Sequence, residues 1–97
     1  MELTRVDIRM PNNLLKVVED YQMTNGISTR TAAILELIRM GLDKKEELEV
    51  YIERGDSQRI DIRVPDMILE KVQEYQNNNE IPTRAAAMKR LILLGLM

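Results

Sequence analysis

TRVDIRMPNNLLKVVEDYQMTNGISTRTAAILELIRMGL, at residues 4–42, returns at residues 58–96 as QRIDIRVPDMILEKVQEYQNNNEIPTRAAAMKRLILLGL. Each residue of the first copy matches the residue 54 positions later without a gap, and 19 of the 39 matched positions are identical. Solenoid architectures need at least about three stacked units, whereas this chain has two copies. The repeat therefore predicts two equivalent halves that bury their apolar faces against each other within one chain.

Each copy begins with a short strand. Charged and apolar residues alternate strictly in RVDIRM (5–10) and in RIDIRV (59–64). This alternation indicates a half-buried strand, because successive side chains of a strand point to opposite faces. A proline follows each strand, and we expect it to end the strand and lead into a helix. One strand alone has no partner for its backbone N–H and C=O groups, so the two copies are predicted to pair as an antiparallel ribbon.

Two amphipathic helices follow the strand in each copy. Their apolar residues fall at helical spacing: Leu14, Leu15, Val18 and Tyr21, then Ile34, Leu37 and Ile38, and in the second copy Ile68, Leu69, Val72 and Tyr75, then Met88, Leu91 and Ile92. Thr29 and Thr83 are the predicted N-caps of the second helices, with Ser28 as an alternative in the first copy. Gly41 and Gly95 are expected to close these helices.

The segment between the copies is acidic. Residues 43–56 contain six acidic and three basic residues. Asp43 as a cap and three apolar residues at helical spacing predict a connecting helix over residues 43–54, followed by a flexible exit. The predicted boundaries are residues 1–42 for the first repeat, 43–57 for the connector and 58–97 for the second repeat, with both repeats folding as one domain.

Composition excludes several classes of function. The 97-residue chain contains no His and no Cys, so it lacks the commonest general base and the thiolate ligands of zinc sites. It also has no phosphate-binding loop, and we predict a protein that is not an enzyme and uses no cofactor or metal. No charged leader with a following apolar run opens the chain, and no apolar stretch approaches membrane-spanning length. These features predict a cytoplasmic protein without a membrane partner.

The order of the elements resembles the ribbon-helix-helix family of DNA-binding proteins, which includes the Arc and methionine repressors. The resemblance rests on an Arg-x-Asp-x-Arg strand, a proline, an amphipathic helix, a polar turn, a Thr-Arg-x-Ala-Ala helix and a final Gly-Leu, all present in both copies. Family members are normally homodimers, and this chain resembles a tandem, single-chain form that also occurs among accessory proteins of conjugative plasmid transfer. The resemblance implies a mainly α fold: an intramolecular pseudodimer with a two-stranded antiparallel β-ribbon on four helices, plus the connecting helix.

The charged face of the ribbon is the predicted reading surface. The major groove of B-DNA admits a two-stranded ribbon, arginine can donate two hydrogen bonds to guanine, and aspartate can accept one from cytosine N4. The predicted base-reading residues are Arg5, Asp7, Arg9, Arg59, Asp61 and Arg63. Two alternatives are that the aspartates orient neighbouring arginines and that the face is only solvated. A pseudo-twofold axis near the aspartates would set like charges opposite each other, which destabilises a sheet and favours a partner.

A second site is implied at the start of the second helix of each copy. Exposed N–H groups at a helix N-terminus bind anions, and the family resemblance implies that this end holds the DNA backbone. The predicted phosphate-binding residues are Thr29, Arg30, Thr31, Thr83, Arg84 and Ala85. An ordinary capped helix with a surface arginine is the alternative. Pro82 replaces Ser28 and removes one N–H and one hydroxyl, so the two sites are predicted to differ in strength.

These features predict a sequence-specific double-stranded DNA-binding protein that acts as a transcriptional repressor of a plasmid, phage or chromosomal operon. The outward residues are the same in both strands, which predicts a nearly palindromic site. An accessory protein of conjugative transfer, part of a relaxosome, is one alternative, and a protein-binding, antitoxin-like module is the alternative of another class. The apolar run at residues 91–97 is predicted either to cover the connector or to mediate self-association of molecules on adjacent DNA sites.

Overall fold

The computed structural model describes residues 2–44 and 55–97. The elements in chain order are β1 (Leu3–Pro11), α1 (Asn12–Thr24), α2 (Arg30–Asp43), β2 (Ser57–Pro65), α3 (Asp66–Asn78) and α4 (Arg84–Leu96). Over the described ranges the fold is mainly helical, with four helices and a two-stranded antiparallel sheet. The sequence prediction is confirmed at this level.

The two strands pair along their whole length, from Leu3 opposite Pro65 to Pro11 opposite Ser57. Both prolines end their strand and stand at the N-cap of the next helix. Past the strands, the N–H of Asn12 donates to the carbonyl oxygen of Asp56 at 2.8 Å, and the N–H of Asp66 donates to that of Glu2 at 3.2 Å. These two bonds are equivalent under the repeat. The two copies therefore meet the ends of the ribbon in the same way.

One face of the ribbon packs against the helices and forms one side of the hydrophobic core. Its inward side chains are at most 5% exposed: Val6, Ile8, Met10, Ile60, Ile62 and Val64. The helices supply the remaining core, which is built almost entirely of Leu, Ile, Val, Met and Ala side chains. The described residues include no buried polar or charged residue. The alternation read from the strands thus corresponds to burial, residue by residue.

The helices α2 and α4 form the most extensive helix–helix contact, and glycine is the reason they come so close. A Cβ added to Gly41 would overlap the carbonyl oxygen of Leu91, and one added to Gly95 would overlap that of Leu37. The prediction that these glycines close their helices is wrong, because α2 continues to Asp43 and α4 to Leu96. Each glycine instead lets the backbone of the other helix approach.

The structure corrects two predictions next to the connector. Asp43 is the last residue of α2, not the cap of a following helix, and Ser57 is the first residue of β2, not part of the exit from the connector. The rest of the predicted connecting helix, residues 45–54, lies outside the described residues.

The apolar run at the end of α4 lies largely in the core. Leu91, Ile92 and Leu94 are at most 3% exposed, while Leu93 and Leu96 are partly buried against the same core. The helix contacts α2, α3 and β1, so more than one of its faces is covered. Packing within the chain thus covers most of this apolar run. The predicted contact with the connector involves residues 45–54, which lie outside the described residues, and self-association stays a prediction.

The turns between the helices are alike in the two copies. The side-chain amide of Asn25 donates to the carbonyl oxygen of Tyr21, and that of Asn79 to Tyr75, both at 2.9 Å. The next residue adopts a left-handed backbone in each copy, with φ of 63° at Gly26. Glycine adopts this conformation freely. In the second copy the position is held by Glu80, with φ of 53°.

Candidate nucleic-acid interface

The outward face of the ribbon carries all six predicted base-reading residues. The three charged positions of each strand point away from the core, and all six residues are exposed. The register sets like residues opposite each other: Arg5 and Arg63, Asp7 and Asp61, Arg9 and Arg59. This confirms the prediction that opposed pairs on this face carry the same charge, with the aspartates at the centre.

One diagonal contact relieves part of this repulsion. The guanidinium of Arg5 forms an ion pair with the carboxylate of Asp61, the neighbour of its directly opposite residue on that face. An aspartate therefore does orient an arginine at one position. No other ion pair on this face joins two of the described residues, so the equivalent Arg59 and Asp7 are not joined. The side chains of Arg5 and Asp61 are 69% and 45% exposed, and such exposed pairs contribute about 0–1 kcal/mol.

The chemistry of this face is that of a set of donors with two acceptors at its centre. Four guanidinium groups offer planar N–H forks, which suit bidentate hydrogen bonding to guanine O6 and N7 or to phosphate. Two carboxylates offer acceptors for an amino group such as cytosine N4–H. The face carries a net charge of +2, from four Arg and two Asp, within a chain of net charge −2. This face is thus positive although the chain as a whole is negative.

The predicted N-caps of α2 and α4 are confirmed. The hydroxyl oxygen of Thr29 accepts from the N–H of Ala32, and that of Thr83 accepts from the N–H of Ala86, both at 3.1 Å. The alternative cap, Ser28, is not used. Since each threonine occupies only the third helical N–H, the first two remain available.

Those remaining donors define the second candidate site. Within the described ranges no hydrogen bond uses the backbone N–H of Arg30 and Thr31, or that of Arg84 and Ala85. Unused N–H groups at the positive end of a helix dipole favour an anion. The predicted phosphate-binding residues therefore group in two places, one at each helix N-terminus.

These two helix N-termini differ in their charged side chains. A guanidinium nitrogen of Arg30 lies 3.7 Å from a carboxylate oxygen of Glu19. The residue equivalent to Glu19 is Gln73, whose amide donates instead to Asn77 at 3.2 Å. Arg84 consequently has no ion pair among the described residues. The first site has the hydroxyl and the backbone N–H of Ser28, which Pro82 replaces in the second site. The second site has the arginine without an ion pair among the described residues.

The structure adds two residues to the outward face that the sequence reading left out. Leu3 and Ser57 precede the charged positions by two residues, so they point to the same side of the ribbon. Leu3 is 52% exposed. The alternation of side chains along a strand could have predicted them, since both have odd numbers like the charged residues. The repeated Arg-x-Asp-x-Arg pattern begins two residues after them, so the predicted face began at Arg5 and Arg59.

Comparisons of the chain with models of protein families, with curated proteins and with solved structures found no match. The described residues contain no group of three or more side chains that could hold a metal ion. None of the helices in that part of the chain combines the length and the apolar character required to cross a bilayer. Geometry and charge of the ribbon are thus the observations from which a function can be argued.

Proposed function

We propose that this protein binds double-stranded DNA sequence-specifically, as two ribbon-helix-helix units that form a pseudodimer within one chain. The ribbon enters the major groove, and the protein represses transcription by occupying an operator. The observation that supports this proposal is the register, which lines an exposed face with opposed pairs of like charge. Directly opposed like charges destabilise a sheet, so the face is better explained by a partner than by stability.

DNA offers the groups that these side chains lack in the free protein. Base edges in the major groove present the acceptors of guanine and the N4 donor of cytosine, and the flanking phosphates attract the arginines. An alternative acidic protein partner would pair with the arginines but would leave Asp7 and Asp61 facing further negative charge. A surface that mixes donors and acceptors, as base edges do, suits both residue types.

Equivalent contacts on the two sides of the ribbon support the pseudodimer. The opposed charges, the hydrogen bonds at the ribbon ends and the glycine contacts between α2 and α4 all join residues related by the same repeat. DNA with a palindromic sequence has a matching twofold axis, as half-site spacing in dimeric repressors requires. The unused N–H groups at Arg30 and Arg84 would then hold phosphates, one in each half of the site.

Selection of bound duplexes from a randomised DNA pool at moderate salt tests the proposal. We expect the wild type to enrich a nearly palindromic motif that contains guanines. The reading-face variant replaces Arg5, Arg9, Arg59 and Arg63 with Ala. It should lose the motif, because each bidentate contact is worth about 1–3 kcal/mol of discrimination.

A matched variant separates readout from net charge. It removes the same number of positive charges away from the ribbon, by replacing Lys16, Arg39, Lys44 and Lys71 with Ala. We expect this variant to keep the motif with a modest, salt-dependent loss of affinity. Failure of the wild type to enrich any motif, or equal loss of the motif in both variants, would contradict ribbon readout.

A further inference from the structure

The outward face of the ribbon is symmetric over its three charged pairs and asymmetric immediately beyond them. At one end the next pair is Leu3 opposite Pro65, and at the other end it is Pro11 opposite Ser57. The prolines are equivalent under the repeat, but Leu3 and Ser57 are also equivalent and differ completely in chemistry. A half-exposed leucine thus extends the face beside Arg5, where the other end offers a hydroxyl.

The end of the ribbon that carries Leu3 also has a side-chain hydrogen bond that, among the described residues, the other end lacks. The hydroxyl of Thr4 donates to the carboxylate of Asp66 at 2.6 Å, linking β1 to the start of α3. The equivalent residues, Gln58 and Asn12, make no side-chain hydrogen bond in the described part of the chain. The ion pair of Arg5 with Asp61 lies toward this same end. The strand end that carries Leu3 therefore has side-chain contacts that the end carrying Ser57 lacks within the described ranges, which favours a positional role for Leu3 in binding.

We propose that Leu3 packs against the 5-methyl group of a thymine just outside the bases read by the arginines, and so makes the two halves of the operator unequal. This inference rests on the proposed function. The thymine methyl is the apolar group that base pairs present in the major groove, whereas serine can hydrogen-bond to several bases. The half of the site beside Leu3 requires thymine at its outer position, and the half beside Ser57 tolerates any base.

Duplex selection with three variants tests this assignment. Wild type should enrich a motif with thymine at one outer position. Ser57→Leu should enrich thymine at both outer positions, and Leu3→Ser at neither. The exchange of the two residues, Leu3→Ser with Ser57→Leu, restores one leucine and should select the same motif as the wild type. The exchange keeps composition constant, so it controls for any general effect of either substitution on folding.

Removal of the methyl group itself gives the second measurement. Replacing the outer thymine with deoxyuridine should weaken wild-type binding about fourfold, which corresponds to the ~0.8 kcal/mol of one buried methylene-sized group. The same replacement should leave the affinity of Leu3→Ser unchanged. Circular dichroism of each variant checks that the fold is retained.

The outcomes separate this inference from the proposal beneath it. A motif that depends on the four ribbon arginines but has the same outer base preference in both halves would overturn the role of Leu3 and leave DNA readout standing. Unchanged affinity for the deoxyuridine duplex would do the same. Absence of any enriched motif would overturn both. An asymmetric motif that becomes symmetric in both single variants supports the assignment.

Discussion

The helix crossing beneath the ribbon and the charged face above it are both built from pairs of residues related by the repeat. The pairs at the crossing are favourable contacts, whereas the pairs on the face are not. At the crossing, Gly41 meets Leu91 and Gly95 meets Leu37, and each contact is satisfied within the chain. On the face, the same equivalence sets Asp7 against Asp61 and arginine against arginine. Symmetric pairing suits apolar and glycine contacts because these groups carry no charge. The same pairing places charged residues opposite residues of like charge. The region that symmetry leaves unsatisfied is the region where a partner is expected.

The largest effect on stability should come from adding a side chain where α2 and α4 cross. Gly41→Ala and Gly95→Ala each force a Cβ into the carbonyl of the facing helix, and we expect each to lower the free energy of unfolding by about 1–3 kcal/mol. The two losses should be similar, because the contacts are equivalent. Urea denaturation followed by circular dichroism measures them, with Asn13→Ala at an exposed helical position as control. Alanine favours a helix interior over glycine by about 1 kcal/mol, so a stabilised Gly41→Ala protein would contradict the close crossing.

Removal of the N-caps should cost less and should again be equal in the two copies. Thr29→Ala and Thr83→Ala each leave an N–H without its acceptor, and we expect a loss of about 1 kcal/mol in each. Ser28→Ala is the matched control, since Ser28 does not cap α2. Thermal unfolding provides the comparison. A larger loss from Ser28→Ala than from Thr29→Ala would mean that the cap has been assigned to the wrong residue.

The interhelical turns should distinguish the two copies. Glu80→Gly relieves a left-handed backbone at a side-chain-bearing residue and should stabilise the protein by up to about 1 kcal/mol. Gly26→Ala introduces the same strain into the first copy and should destabilise by a similar amount. Chemical denaturation of both variants measures the pair. Effects of the same sign in both would show that the turns are not equivalent.

The smallest effect should come from a substitution on the charged face of the ribbon. It should raise the stability of the free protein and weaken its binding to DNA. Asp7→Asn removes one of two opposed carboxylates and should stabilise the free protein by about 0.2–1 kcal/mol. The same variant should bind its selected DNA less tightly, since an amide can present its donor where the carboxylate accepted. Glu70→Gln, an exposed change on α3, controls for the loss of negative charge. Destabilisation by Asp7→Asn would show that the opposed carboxylates are not a source of strain.

Much of the fold follows from local pattern. The alternation over residues 5–10 and 59–64 predicted the buried side of each strand correctly, because period-two placement is a geometric property of an extended chain. Thr29 and Thr83 were found as caps because a short side-chain oxygen before a helical run has a local bonding partner. The outward charges could likewise be predicted, since exposure follows from the same alternation.

Other features depend on what a residue meets from elsewhere in the chain. A glycine before the last residues of an apolar helix is typical of a C-cap, and sequence alone did not distinguish that role from a close crossing. The diagonal contact of Arg5 with Asp61, and the different partners of Arg30 and Arg84, depend on side-chain placement across elements. These contacts decide how far the two halves of the candidate site differ.

The sequence by itself determined the two equivalent halves, the alternation of the strands and the identity of the charged residues, because repeat and periodicity are properties of the chain alone. Only the tertiary structure decided that Gly41 and Gly95 lie at a helix crossing, that Arg5 pairs with Asp61 and that Arg30 pairs with Glu19. Those facts depend on distances between separate helices and strands. Such distances are set by packing, which no local pattern contains.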